Sequence, residues 1–470
     1  MKKLLVAFVL TCSITAAIAQ DARSVTQAIH FIKLASTLRE VNKSDESISL
    51  LKRALPAVQS KNLYWEAVAN EMLGTSYNDL EDYDAAVHYL EIARGQYAQL
   101  KYVASAWGVN EIIRDISGKN LYAGIQVGAS DIKLAIFKTQ YESDFYEKDI
   151  RSVINIPDIT LVSDASGAVG QRQLALKSCL DSIQRYNIPN ERVFIVFSSD
   201  VKGGKESKLM NKNRLYDELA SILPGGSSLK IDTTLTAERE AELFTIGAIP
   251  RKVWPTTFAL NLGNTSTMGG YFDANKSFHH TVSPLGVMTL VNQVDPNRTM
   301  ALDTYREAVQ KAIAALPEGS LAPAGSGFQQ RKTIGVGGDI IKALVTYLHP
   351  DKSTTTAVAI TKQDIDQFKR LALSDYASLV RPDLSYIGDP AVLAKASQDI
   401  RTMQNLVSQK QLIAGALLLE ATANDYARQG SSKRMVFIRD SDIGWVTGKF
   451  LETINFEYES TIAKGSLYTR

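Results

Sequence analysis

A short pattern of four residue types occurs twice in the sequence and constrains the fold most strongly. An apolar residue, an amide, a second apolar residue and a glycine form Ile125-Gln126-Val127-Gly128 and again Leu260-Asn261-Leu262-Gly263. Each copy ends a strand-like stretch and is followed by small, hydroxyl-bearing residues. Small turn residues allow backbone N–H groups to approach an anion closely, so each copy predicts a phosphate-type hairpin. The repetition predicts a domain built from two related halves.

The elements around the two hairpins alternate between strands and helices. Between the hairpins, the pattern predicts helices near 170–187, near 211–222 and from Thr236, and the strands "RVFIVFSS" and "LKIDTTL". After the second hairpin it predicts the strands "TIGVGG" and "RMVFIRD", and helices near 300–316, 362–374, 390–425 and from about 444. Such alternation is typical of an α/β fold with a mostly parallel sheet.

Residues from about 20 to 118 are predicted to be entirely helical. Residues 22–118 contain almost no Gly or Pro, and "NEMLGTSYNDLEDYDAAVHYLEIA" fits the tetratricopeptide pattern. An earlier copy, "KLASTLREVNKSDESISLLKRAL", has small and large residues at the same offsets, including Leu34-Ala35 and Ala54. We therefore expect tetratricopeptide-like repeats over 20–118, with a generic helical hairpin domain as the alternative. Such repeats bind a peptide or protein partner, or pack against the next domain.

The N-terminus, "MKKLLVAFVLTCSITAAIAQ", has the pattern of a secretory signal peptide. Lys2 and Lys3 precede an apolar run, and small residues end in an A-x-A cleavage site before Gln20. A membrane anchor is disfavoured because the run is shorter than the ~20 residues that a span needs. We expect 1–19 to be removed from a bacterial protein exported to the periplasm or the exterior. A lipoprotein signal that uses Cys12 is the alternative.

Charge and cysteine content exclude several classes of function. The chain has 52 Lys and Arg and 50 Asp and Glu, and loss of Lys2 and Lys3 leaves the two signs balanced. This balance predicts neither nucleic-acid binding nor attachment to an anionic membrane surface. Cys179 is the one cysteine after the leader, so we expect no intrachain disulfide. The spacing of the five histidines does not predict a zinc site, and no later segment predicts a membrane span.

Together these features resemble the exopolyphosphatase and guanosine pentaphosphate phosphatase family of the actin-like, sugar-kinase-like superfamily. "AGIQVGASDIKLAIF" is similar to its first phosphate loop, A-I-D-I-G-S-N-S, and "FALNLGNTSTMGGYF" to its second, D-I-G-G-G-S-T-E. "LTAEREAELFTIGAI" resembles its catalytic helix, S-G-E-E-E-A-R-L. The resemblance covers about 119–455. It implies a duplicated, RNase H-like (actin-like) two-lobed α/β domain after the helical repeats, with lobes at 119–255 and 256–470.

The resemblance also implies a set of site residues. In the family, the two loops bind phosphate, loop carboxylates hold a divalent cation, and a helix glutamate orients or deprotonates the attacking water. Glu240 falls on that glutamate and is the candidate general base, although a solvated helix face would also explain it. The implied phosphate-binding residues are Gly128, Ser130, Gly263, Asn264, Thr265, Ser266, Thr267, Gly337 and Gly338.

Three positions depart from the family's metal-binding pattern. Gln126 and Asn261 replace loop aspartates, and Met268 replaces a loop glutamate. Mg²⁺ prefers hard anionic oxygen, which these neutral side chains do not supply. Turn capping by the two amides and apolar filling by Met268 explain these residues as well. Asp131 and Asp339 are the alternative carboxylates for a rebuilt metal site.

Two functional hypotheses follow from these departures. The first, which we favour, is an exported relative that lacks catalysis or has little of it. It binds polyphosphate or another phosphate-bearing or anionic ligand in the cleft, and a partner through its repeats. The second is an active, Mg²⁺-dependent phosphoanhydride hydrolase of the exopolyphosphatase type that uses Glu240 with altered metal ligands. The sequence predicts no particular oligomeric state.

Overall fold

The computed structural model describes most of the chain from Gln20 onward. The described ranges are 20–128, 131–141, 146–157, 159, 166–199, 230–232, 235–317, 319–321, 326–428 and 433–464. The predicted leader, Ser130 and the helix predicted near 211–222 lie outside these ranges.

The chain divides into two compact units. One comprises the chain up to Leu121, Thr139–Tyr146 and the chain from Ile454, and the other comprises Tyr122–Lys138 and Glu147–Thr453. The second unit contains both phosphate-type hairpins. The boundaries near residues 118 and 255 stay predictions.

The N-terminal part of the first unit is helical, as expected. Its helices are α1 Val25–Glu40, α2 Ser44–Val58, α3 Leu63–Asp79, α4 Tyr83–Gln99 and α5 Val103–Ile116. Side chains cap the starts of three of them. Ser24 Oγ, Asn62 Oδ1 and Asp82 Oδ1 accept hydrogen bonds from Gln27 N, Trp65 N and Ala85 N, each at 3.2 Å.

Small residues determine how closely α3 and α4 approach each other. A Cβ atom on Gly74 would lie 2.5 Å from Leu90 Cγ and 2.9 Å from the Ala86 carbonyl oxygen. The predicted small positions Ala35 and Ala54 are buried, but Leu34 is 44% exposed. Leu34 is therefore not part of the apolar core that contains Ala35 and Ala54.

The first sheet has five strands in the order β3-β2-β1-β4-β5. They are β1 Leu121–Val127, β2 Asp131–Tyr141, β3 Tyr146–Pro157, β4 Val193–Phe197 and β5 Lys230–Asp232. The two strands of the first hairpin are confirmed, and so are the strand predicted in "RVFIVFSS" and, over 230–232, the strand predicted in "LKIDTTL". The stretch 146–157 forms strand β3, which the sequence analysis does not predict. That stretch forms an edge strand with mostly half-exposed side chains, so its polar composition is compatible with pairing on one side.

The second sheet has six strands in the order β10-β11-β9-β6-β7-β8. They are β6 Thr257–Leu262, β7 Thr267–Phe272, β8 Phe278–Ser283, β9 Thr333–Gly337, β10 Ala357–Ile360 and β11 Arg434–Ile438. Strand β9 pairs in parallel with β6 and β11, whereas β6-β7, β7-β8 and β10-β11 are antiparallel. The sheet is therefore mixed rather than mostly parallel, because hairpins extend a parallel centre.

Helices cover the two sheets and their connections. They are α6 Ser166–Arg185, α7 Ala237–Ala248, α8 Val287–Val294, α9 Leu302–Ala314, α10 Ser326–Gln330, α11 Asp339–Leu348, α12 Lys362–Ser374, α13 Tyr376–Val380, α14 Pro390–Leu406, α15 Gln409–Arg428 and α16 Gly444–Lys464. The helix predicted over 390–425 is thus two helices. Ser408 separates them, and its Oγ accepts from Gln411 N at 3.4 Å.

A large apolar core supports the second sheet. Phe258 on β6, Ile334 on β9, Leu344 on α11 and Leu418 on α15 are all buried in it. The fold therefore holds the turn of the second hairpin on a rigid, well-packed base.

In the part of the chain that the structure describes, no helix has the length and apolar character needed to cross a membrane.

Candidate functional site

A cavity in the second unit is lined by both phosphate-type hairpins. Its cavity volume is about 70 Å³, which is room for a few water-sized groups. The lining residues are Gln126, Gly128, Asp131, Lys133, Ser198, Asn261, Gly263, Asn264, Thr265, Ser266, Met268, Gly338, Asp339, Ser441, Asp442 and Trp445. Residues far apart in sequence thus meet at one site, as the duplicated pattern predicts.

The first hairpin brings Gln126 into the cavity. Gly128 N donates to the Asp131 carbonyl oxygen at 2.9 Å, which closes the turn between β1 and β2. Gln126 Nε2 donates to the Asp442 carbonyl oxygen at 3.0 Å, whereas its buried Oε1 has no partner among the described residues. The amide therefore anchors the segment before α16 to β1 and leaves an acceptor facing the site.

The second hairpin brings a group of small residues to the same cavity. Gly263 N donates to the Ser266 carbonyl oxygen at 3.1 Å across the turn between β6 and β7. Thr267 Oγ1 donates to the Leu285 carbonyl oxygen at 2.8 Å, but the buried Ser266 Oγ has no partner in the described parts of the chain. Asn261 and Met268 are paired residues on these strands, and both line the cavity. The two adjacent hydroxyls therefore have different roles, one structural and one directed at the site.

The start of α11 forms another wall of the cavity. Gly338 has φ of 109°, and a Cβ there would lie 2.2 Å from the Leu262 carbonyl oxygen, so glycine is required. Asp339 Oδ2 accepts from Asn264 Nδ2 at 3.1 Å, while its buried Oδ1 has no partner within the described ranges. Burial raises the pKa of Asp339 above its usual range, although the nearby Lys133 lowers it. This environment favours the protonated acid more than water does.

Two lysines balance the carboxylates of the cavity. Lys133 Nζ lies 3.2 Å from Asp131 Oδ2 and donates to the Asp442 carbonyl oxygen at 3.2 Å. Lys342 Nζ lies 3.2 Å from Asp442 Oδ2. Burial alone would lower the pKa of Lys133, but the surrounding carboxylates, first that of Asp131, raise it above its usual range. Lys133 therefore stays charged inside the protein.

Asp442 is held as a carboxylate by the same two lysines. Burial alone would raise the pKa of Asp442, but Lys342 and Lys133 lower it below its usual range. The residue lies in the short helical turn Ser441–Ile443, after Asp440 in the left-handed conformation with φ of 60°. This turn places Asp442 where β2 and α11 both reach it.

Glu240 lies close to the cavity but outside the set that lines it. It is fully buried on α7. Its Oε1 accepts from Ser199 N at 2.9 Å, and its Oε2 accepts from Ser199 Oγ at 2.5 Å. The neighbouring Ser198 lines the cavity. The carboxylate therefore holds the end of β4 in place, and both of its oxygens have protein donors.

Not all of the residues predicted to bind phosphate line the cavity. Gly337 lies against Ser441, because a Cβ there would be 2.4 Å from Ser441 Oγ. Neither Gly337 nor Thr267 is part of the lining, whereas Gly128, Gly263, Asn264, Thr265, Ser266 and Gly338 are.

The architecture is similar to those of several solved structures. An exopolyphosphatase-like protein aligns over 71% of this chain and 98% of its own, with 14% identity and a TM-score of 0.50. The fold is that of an exopolyphosphatase-like protein. An exopolyphosphatase from Cytophaga hutchinsonii aligns over 72% of this chain and 98% of its own, with 12% identity and a TM-score of 0.48. A Ppx/GppA family member from Aquifex aeolicus aligns over 71% and 98%, with 15% identity and a TM-score of 0.45.

No protein-family model and no curated protein matches the sequence. At 14% identity, the likeness to the exopolyphosphatase-like protein establishes the fold. The two-lobed α/β class, with a helical region before it, is therefore confirmed. The activity has to be argued from the residues of the cavity.

In this exopolyphosphatase-like fold, the side chains of the cavity do not form a suitable site for a divalent cation. Among the described residues, no group of three His, Cys, Asp or Glu side chains is placed to hold a metal ion. Of the two alternative carboxylates, Asp131 pairs with the Lys133 ammonium and Asp339 accepts from Asn264. A bound ammonium and a divalent cation compete for the same oxygens, so these contacts oppose a metal at Asp131.

Sequence reasoning missed several residues of the cavity. These are Lys133, Ser198, Ser441, Asp442 and Trp445. A signal for Lys133 was present, because side chains two positions apart on a strand share a face, and Asp131 is two positions before it. Asp442 had no such signal, since it follows Asp131 by some 300 residues in the sequence.

Proposed function

We propose that this protein binds a phosphate-bearing or other small anionic ligand in the cavity and does not hydrolyse it. The observation that carries this proposal is the pairing of the buried Lys133 ammonium with Asp131 and with the Asp442 carbonyl oxygen. Metal-assisted hydrolysis needs carboxylate oxygens free for the cation and a base free to accept a proton from water. Here Asp131 is paired with a lysine, and both oxygens of Glu240 accept from Ser199.

The same cavity offers hydrogen-bond donors to an anion. The Ser266 hydroxyl lines it without a described protein partner. Asp339, whose pKa burial raises, can donate from Oδ1 when protonated. The lysines offset the charge of Asp131 and Asp442, so an anion does not meet unbalanced carboxylates. These features support a ligand with a few acceptor oxygens, such as a phosphate group.

A phosphate-release assay tests the absence of hydrolysis. The protein expressed from Gln20 is incubated with polyphosphate and either Mg²⁺ or Mn²⁺, beside Glu240→Gln and the matched control Glu238→Gln. Glu238 is on the exposed side of the same helix. We expect no release above background from any of the three. Release that is abolished by Glu240→Gln and kept by Glu238→Gln would instead establish the alternative, a metal-dependent hydrolase that uses Glu240.

Calorimetry tests the ligand class. Titration with polyphosphate or inorganic phosphate in the presence of EDTA is expected to give saturable binding. Binding of a neutral polyol together with no binding of either phosphate would contradict an anion site. Melting temperatures of each variant show whether an effect on binding is separate from an effect on folding.

We also propose that the protein acts outside the cytosol and binds a partner through its helical repeats. The leader pattern of residues 1–19 supports export. Three tyrosines on or beside the repeat helices, Tyr64, Tyr83 and Tyr102, are between 41% and 51% exposed, and exposed tyrosines are common at protein interfaces. Fractionation of the native cell tests the location. A protein found uncleaved in the cytosol would contradict it.

A further inference from the structure

Lys133 is surrounded by oxygen atoms in the way that a bound metal ion would be. Its side chain is 6% exposed, and its Nζ lies 3.2 Å from Asp131 Oδ2, 3.2 Å from the Asp442 carbonyl oxygen and 4.0 Å from Asp442 Oδ2. Two carboxylates and a carbonyl are the ligand types that hard divalent cations prefer. An ammonium can take the same place because it donates three hydrogen bonds and carries positive charge.

Besides the oxygens around Lys133, three further residues of the cavity have oxygens without partners in the described chain. Gln126, Ser266 and Asp339 line it, and their buried Oε1, Oγ and Oδ1 atoms have no partners in the described chain. Native proteins rarely leave buried polar atoms unpaired, so three in one cavity indicate a site for an external group. The cavity therefore has polar oxygens that neither its lysines nor the rest of the described chain pair with.

We propose that the Lys133 ammonium is a built-in counter-ion that replaces a divalent cation at this site. It neutralises Asp131 and connects β2 to the turn that contains Asp442. Any ligand of the cavity then binds without a metal. This inference goes beyond the proposed function, because it concerns how the cavity balances its charge, whatever the ligand is.

Removal of the ammonium is the decisive experiment. Lys133→Met keeps much of the side-chain volume but leaves Asp131 and the Asp442 carbonyl oxygen open to a cation. We expect no saturable Mn²⁺ binding to the wild-type protein in calorimetry, and at least about tenfold tighter binding to Lys133→Met. Lys133→Arg, which keeps the charge, is expected to behave like the wild type. The double variant Asp131→Asn, Lys133→Met is expected to lose the gained binding.

Two results would overturn the proposal. One is saturable Mn²⁺ binding to the wild-type protein that Asp131→Asn removes, since the metal would then bind beside Lys133. The other is a folded Lys133→Met variant that binds no Mn²⁺. If Lys133→Met melts cooperatively only with Mn²⁺ present, the metal has replaced the ammonium, which supports the proposal.

If Lys133→Met does not fold either with or without Mn²⁺, a second variant still tests the counter-ion role. The double variant Asp131→Asn, Lys133→Met removes both charges of the pair. Recovery of a cooperative thermal transition in the double variant supports the counter-ion role, and failure to recover one overturns it.

Phosphate titrations of the wild-type protein with and without EDTA separate this inference from the proposed function. Equal affinities in the two conditions are expected. Absence of phosphate binding together with Mn²⁺ binding to Lys133→Met would contradict the proposed ligand class and leave the counter-ion role intact. Phosphate binding that requires Mn²⁺ would overturn the counter-ion role.

Discussion

At the scale of single residues, two adjacent hydroxyl residues are expected to have different roles. Ser266 contributes to ligand binding, and Thr267 contributes to the stability of the fold. Ser266 Oγ lines the cavity without a described partner, whereas Thr267 Oγ1 donates to the Leu285 carbonyl oxygen. We expect Ser266→Ala to weaken phosphate binding about tenfold, the value of one hydrogen bond, and to leave stability nearly unchanged. Thr267→Val is expected to cost about 1 kcal/mol of stability, because it removes the part-buried hydrogen bond to the Leu285 carbonyl oxygen. Calorimetry and thermal melts measure the two effects, and equal losses of affinity would contradict the assignment.

Asp442 is expected to make the stability of the protein dependent on acid pH. Its pKa is depressed in the folded state by Lys342 and Lys133, against the opposing effect of burial. A depressed carboxyl pKa stabilises the fold above the unfolded value of ~3.9, and this stabilisation is lost as the pH falls through the lower folded value. We expect Asp442→Asn to cost roughly 3 kcal/mol at pH 7, because it breaks a buried charge pair.

Unfolding by denaturant between pH 3 and pH 7 measures this dependence. The difference between the wild type and Asp442→Asn should shrink below about pH 4. Asp303→Asn is the control, since the Asp303 side chain is 91% exposed. A stability difference that stays constant over this range would show that the Asp442 carboxylate is not the source.

Part of the site could be predicted from single residues and part could not. The glycines and hydroxyls of the two turns stand next to each other in the sequence, so a local pattern reveals them. Lys133 could have been found from strand periodicity, because it shares a face with Asp131. Asp442 and Ser198 reach the cavity only through the tertiary fold, and no local pattern encodes that.

At the scale of elements, the contact between α3 and α4 tests the packing of the repeats. A Cβ on Gly74 would overlap Leu90 and the Ala86 carbonyl oxygen, whereas a Cβ on Gly95 meets nothing within 4 Å. We expect Gly74→Ala to destabilise the protein by about 1–3 kcal/mol through overpacking. Gly95→Ala is expected to stabilise it by about 0.5–1 kcal/mol, since alanine favours a helix. Denaturant unfolding measures both, and a stabilising Gly74→Ala would contradict the packing.

The elements that sequence patterns predicted well are the buried ones. Strands β4 and β6 are almost continuously apolar, so their type is clear from composition. Strands β3 and β10 lie at sheet edges, where one side is unpaired and polar residues are tolerated. The break between α14 and α15 was missed because Val407 and Ser408 interrupt an otherwise continuous helical pattern without Gly or Pro.

At the scale of the whole molecule, the division into units is discontinuous in sequence. The segments Thr139–Tyr146 and the chain from Ile454 belong to the same compact unit as the N-terminal helices. Within that unit, Tyr146 N donates to Asn455 Oδ1 at 2.7 Å, and Trp107 contacts Tyr458 edge-on. Composition and periodicity are read along the chain, so they predict continuous domains. Contacts between distant segments are what define this unit.

The cysteine content gives a prediction for the whole protein. Expressed from Gln20, the chain contains Cys179 alone, and this side chain is fully buried. Burial raises the pKa of its thiol to about 12, so the reactive thiolate is scarce at neutral pH. We expect dithiothreitol to leave the melting temperature unchanged, and thiol reagents to label Cys179 only after denaturation. Cys179→Ala serves as the control for labelling. Rapid labelling of the native protein, or a disulfide-linked dimer on a non-reducing gel, would show that the thiol becomes accessible and that the packing around α6 is weaker than its burial indicates.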